Sequence, residues 1–253
     1  MATRLILAAL ALAAALPTPA AAFDHSHRAW DALLRRHVVV APDGRSSRVS
    51  YAGLALDKEA LDGYLDGVSA VKEGEFAAWT RNEQMAFLLN AYNAFTAAKV
   101  LSRYPDLRSI RDFGVVFGNP FRDEFFMLLG RRASLDSIEH GMLRPRYKEA
   151  RIHFALNCAA VGCPMLREEA YVASRLERQL EEQQARFLSD RSRNRVRGGR
   201  LEVSKIFDWY GDDFAPLPGY FAAHAGLLGA LPEEIRRMKI DFLDYDWSLN
   251  DAK

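Results

Sequence analysis

Charge of one sign is missing from this chain: 34 basic residues face 33 acidic ones, a formal net charge of +1. Without a global field, the composition excludes a protein that holds nucleic acid by bulk charge, and no nucleic-acid partner is expected. Long hydrophobic runs are missing beyond Leu16, so no stable membrane insertion is expected, because a spanning helix needs about 20 apolar residues. Cysteine is scarce, with only Cys158 and Cys163. Two thiols with one nearby histidine lack a clear fourth ligand for zinc. Also absent are G-x-S-x-G, the P-loop, H-E-x-x-H and G-x-G-x-x-G, which removes the common hydrolase, nucleotide, zinc-protease and dinucleotide readings. No cofactor and no metal is expected.

What is present begins at the N-terminus. Met1 to Arg4 is a short basic segment, Leu5 to Leu16 is an uncharged run of Leu, Ile and Ala, and Ala20-Ala21-Ala22 is a small-residue cleavage site. These are the three parts of a secretory signal. The expectation is a leader over residues 1–22 and one globular domain over residues 23–253, located in the periplasm. A terminus at Phe23-Asp24-His25 would also offer an amine, two amides and an imidazole to Cu(II); a frayed end with an accidental histidine is the plainer reading.

The spacing predicts helices over Trp30 to His37, Asp57 to Val71 and Arg81 to Arg103. The last is opened by a Thr80/Glu83 capping box and stopped by Tyr104-Pro105. A strand is expected over Phe125 to Leu129, turned by Gly130. Asp136 and Glu139 would cap a short helix ending before Pro145. Arg151 to Asn157 alternates, with Ile152, Phe154 and Leu156 on one side and His153, Ala155 and Asn157 on the other, so it reads as a strand. Leu176, Leu180, Phe187 and Leu188 mark a helix, Gly198-Gly199 a hairpin, Ser204 a helix cap, and Lys239 to Trp247 a final strand. Helices and antiparallel strands are mixed without a βαβ rhythm, which places the chain in the α+β class.

Three features carry chemistry. Met85 to Ala98 holds no charge, yet Asn90 and Asn93 lie inside it on one face. Buried amides must be hydrogen-bonded, either to the backbone of a neighbouring loop or, as orienting groups, to a catalytic residue or substrate. Next, His153 to Cys163 brings an imidazole, Asn157 and Cys158 together. A thiol beside an imidazole becomes a nucleophilic thiolate, with Asn157 orienting the ring and Glu139 and His140 as a second polar cluster. Against this, two lone cysteines in an oxidising compartment favour a disulfide; Cys158 and Cys163 can bridge if their Cα atoms approach within ~7 Å. Finally, Arg186, Arg191, Arg193, Arg195, Arg197 and Arg200 crowd one stretch, as a solvated hairpin or an anion patch.

Ala86 to Ala94, Leu135 to His140, His153 to Pro164, Ile206 to Tyr210 and Asp244 to Asn250 together resemble the family called domain of unknown function 547. That pattern often has Trp where Leu88 stands and Gly where Ala159 stands. The resemblance implies a family without an agreed activity. A looser similarity in element order to papain-like and transglutaminase-like folds implies a cysteine at the start of the central helix; here Asn90 and Asn93 occupy that helix and no cysteine does. Two functions follow as expectations. One is a thiol-dependent hydrolase or acyl transferase with Cys158 as nucleophile and His153 as base. The other is a non-catalytic envelope module, stapled by Cys158 and Cys163, that binds a small molecule or an envelope component.

Overall fold

A computed structural model describes residues 22–114 and 118–252; the leader expected over residues 1–22 lies outside them except for Ala22. The fold is α+β and helix-dominated. Helix α1 (Arg28–His37) buries Trp30, Leu33, Leu34 and His37. Helix α2 (Lys58–Ala70) buries Leu61, Tyr64, Leu65 and Val68, the i, i+3, i+4, i+7 stripe of an amphipathic helix. Helix α2 packs against both α1 and helix α3 (Arg81–Leu101), in which every side chain from Met85 to Ala97 is buried. That is why the segment tolerates no charge. The expected Thr80/Glu83 capping box opens α3. Lys99, near its end, is buried but ion-paired to Asp123 at 2.8 Å.

The strands are short. β1 (Val38–Val40) pairs antiparallel with β2 (Ser47–Val49). β3 (Phe126–Leu128) turns through Leu129 and Gly130, both at positive φ, into β4 (Arg131–Ala133). After helix α4 (Leu176–Ser189), β5 (Arg195–Arg197) and β6 (Arg200–Val203) form the expected hairpin on Gly198 and Gly199. The last strand, β7 (Lys239–Phe242), is shorter than expected and pairs parallel to β6. The strands are therefore not all antiparallel.

Arg151 to Asn157 is not a strand. Ile152–Ala155 is one helical turn, followed by extended chain at Leu156. Its apolar residues alternate because they serve two different hydrophobic clusters, with no sheet face involved. Ile152 joins the large cluster around α3, and Phe154 joins a second one built from Phe187, Phe207, Phe214 and Phe221. His153 sits at the seam between them.

The chain after β7 runs back across the molecule as a strap. Val161 N donates to Ser248 O at 2.8 Å, Gly162 N to Asp246 O at 2.8 Å, Asn250 N to Ala159 O at 3.1 Å, and Val49 N to Asn250 O at 2.9 Å. A side chain at position 162 would meet Asp246 O at 3.0 Å, so that approach requires glycine. Ala159 has φ +62°, the left-handed region that glycine occupies without strain.

Candidate functional site

A pocket of about 210 Å³ opens at the seam between the two clusters. It is smaller than the roughly 300–1,000 Å³ of drug-sized sites. His153, Glu139, His140, Cys158 and Cys163 all line it. The sequence-predicted polar residues are therefore brought together, apart from the three amides.

His153 is buried and held on both sides. Its Nε2 lies 2.6 Å from Asp213 Oδ2, and its Nδ1 faces Glu139 Oε1 at 3.6 Å. Its ring stacks on Tyr210 with centroids 3.9 Å apart. Asp213 is in turn clamped by Arg144, through Nε at 2.7 Å and a second guanidinium nitrogen at 3.0 Å. The partner of His153 is thus a carboxylate, where a thiol was expected.

Glu139 does not cap a helix. Ser134 caps Leu135–Ile138 instead, its Oγ accepting from Ser137 N at 3.1 Å, while Ser137 Oγ accepts from Ser134 N at 3.0 Å. Glu139 begins the π-helical turn Glu139–Leu143, the kind of local irregularity that clusters at functional sites. Burial pushes its carboxyl up, but hydrogen bonding and charge from His153, the charge of His140 and a hydrogen bond with Tyr210 outweigh it. The net result lies below the ordinary range. At Asp213, burial is likewise outweighed by Arg144 and His153, and the carboxyl is held low. Burial, with the Glu139 charge beside it, pushes the Tyr210 hydroxyl well up, so it stays a neutral donor. His140 lies 3.0 Å from Arg144 and 3.7 Å from Asp136.

Cys158 and Cys163 form a disulfide, with Cα atoms 6.1 Å apart. This overturns the thiolate reading, since the bond consumes the nucleophile. The Tyr245 hydroxyl lies 3.2 Å from each sulfur, so the bridge forms one wall of the pocket. Reduction is expected to lower the unfolding free energy by about 2 kcal/mol. Urea unfolding with and without reductant measures this, and intact mass after iodoacetamide without reductant should show no adduct.

The amides serve the backbone. Asn90 donates to Tyr171 O at 2.8 Å and accepts from Tyr171 N at 3.0 Å. Asn93 donates to Ala155 O at 2.9 Å and accepts from Asn157 N at 2.8 Å. Asn157 does not orient His153. It donates to Pro164 O at 2.8 Å, accepts from Ala159 N at 3.0 Å, and so shapes the disulfide loop. All three hold chain in place around the pocket without lining it.

Sequence reasoning missed Asp213 and Arg144, which carry no local motif, and the aromatic wall of Trp209, Tyr245 and Trp247. The signal for that wall was present in Asp208-Trp209-Tyr210 and Asp244 to Trp247. The wall rings lie 4.7–5.8 Å apart, and Trp209 is 44% exposed. The arginine stretch is mostly neutralised: Arg186 pairs with Glu168, Arg193 with Asp190, Arg195 with Glu202 and Arg200 with Asp241. This favours the solvated hairpin over an anion patch. The N-terminal end is not frayed, because Phe23 packs on Phe87 and Trp79, with centroids 5.1 and 5.5 Å away.

The looser papain-like comparison loses its histidine-bearing strand, since His153 stands on a helical turn. No curated protein and no solved structure matches the chain. Residues 76–188, which span α3, the π-helical turn and the disulfide and reach into α4, match the family model described as Protein of unknown function, DUF547.

Proposed function

We propose that this chain is an exported envelope protein that binds a small ligand in the seam pocket without covalent chemistry. The observation that carries the reading is the state of the pocket's reactive groups. Among the described residues its lining contains no serine, threonine or lysine, and both its cysteines are spent in a disulfide. The imidazole of His153 is tied by Nε2 to Asp213 and faces Glu139 with Nδ1. What remains is a preformed concavity with aromatic walls and a few fixed polar groups, the usual make-up of a binding site. Export is supported by the leader-like residues 1–22 and by a disulfide suited to an oxidising compartment.

Two measurements test the proposal. Saturation-transfer NMR with a library of ring-bearing fragments should find binders that compete with one another. These should be lost in Trp209→Ala, which truncates a half-exposed wall residue and spares the core. A library with no such binder overturns the binding reading. Terminal sequencing of protein from the periplasm should return Phe23; Met1 or Ala2 on the folded protein overturns export.

A further inference from the structure

We infer that the seam pocket selects an organic cation, a small amine or ammonium ion carrying an apolar or ring substituent; this rests on the binding reading above. Two independent features of the lining converge on that class. The first is charge. Asp136 and Glu139 line the pocket and no lysine or arginine does. Of the guanidiniums around the lining, Arg144 is held by Asp213 in a two-point pair, and the exposed Arg122 approaches Asp136 only to 3.9 Å. Among the described residues, the imidazoles of His153 and His140 are the basic groups of the lining itself. His153 is shared between Asp213 and Glu139, and His140 lies between Arg144 and Asp136. Within the lining, an anion would meet carboxylates and, among the described residues, no guanidinium or ammonium.

The second feature is the wall. Aromatic faces carry negative quadrupole potential and attract cations within about 6 Å of the ring centroid. Trp209, Tyr245 and Trp247 stand against one another beside the carboxylates. Trp247 already holds a cation of the chain's own, with the Arg111 guanidinium 5.2 Å from its centroid. A neutral ligand would gain only buried area from this wall, whereas a cation gains the ring potential and the carboxylates together. The small volume of the pocket limits the ligand to about the size of one ring with a short side chain.

The test holds shape constant and varies charge. Calorimetric titration of the intact protein at pH 7 with benzylammonium, benzyl alcohol and benzoate compares a cation, a neutral molecule and an anion on one phenyl ring. The expected result is benzylammonium binding at least tenfold tighter than benzyl alcohol, with no binding of benzoate. Asp136→Asn, at a partly exposed position, and Glu139→Gln should each shrink the preference. Equal affinity for the alcohol and the ammonium, or tightest binding of benzoate, overturns the inference while leaving the pocket reading in place. An undiminished preference in both variants overturns the assignment to these carboxylates. If none of the three probes binds, the pocket reading itself falls.

Discussion

Asn93→Leu is expected to lower the unfolding free energy by about 3–5 kcal/mol. The amide is buried and makes two hydrogen bonds to one stretch of chain, donating to Ala155 O and accepting from Asn157 N. Leucine fills similar volume but leaves both backbone groups without partners and out of reach of water. Each orphaned group costs about 1–3 kcal/mol. Against a typical total of roughly 5–15 kcal/mol, the loss is large. The damage is also directional, because these bonds fasten the chain that enters the disulfide loop to the central helix. Asn90→Leu should cost a similar amount through Tyr171 N and O. Chemical denaturation followed by far-UV circular dichroism measures both, and a change below about 1 kcal/mol in either variant would contradict the assignment.

His153→Ala is the second large effect, at about 3–5 kcal/mol near neutral pH, because removing one partner strands the buried Glu139 charge. Its signature is the pH profile. In the parent, Glu139 and Asp213 are both held below the ordinary carboxylate range. The native state therefore keeps them ionised where the unfolded chain has begun to take up protons. The stability they contribute is fully present above their unfolded values of about 4, and is lost as the pH falls through the lower folded values. In the variant, burial dominates at Glu139 and raises its folded value. Its native state then binds the proton first, so its stability should rise relative to the parent's as the pH falls from 7 towards 5; His27, whose imidazole is pushed down to about 4 by burial, adds the same downward slope to both. Denaturant midpoints across that range decide the matter. Parallel profiles for parent and variant would show that His153 does not hold Glu139.

The helices of this protein were legible wherever a single face is buried in a single core. The stripe of α2, the charge-free body of α3 and the Thr80/Glu83 box all act through neighbours three or four residues apart, and such neighbours are visible in a linear pattern. The hairpin on Gly198-Gly199 was legible for the same reason. Ile152 to Leu156 was misread because alternation implies a pleated face only when all the apolar residues point to one core. Here Ile152 and Phe154 feed two clusters, and no local rule distinguishes the cases. Glu139 was misread because Ser134 was an equally good cap one residue before the helix begins.

By itself, the sequence determined that the chain is α+β, that its central helix is buried with two amides needing partners, and that His153 lies near Cys158, with Glu139 and His140 as a second polar cluster. Only the tertiary structure decided what those groups do. Asp213 lies 60 residues from His153, and Tyr245 lies 87 from Cys158. Partners at such separations meet through packing of the two clusters and the closing strap. The protonation of Glu139, the closure of the Cys158–Cys163 bridge and the aromatic wall all depend on contacts that local propensity does not encode. The chemistry of the pocket is therefore a property of the seam, set by which charges and rings the fold brings within a few ångströms of one another.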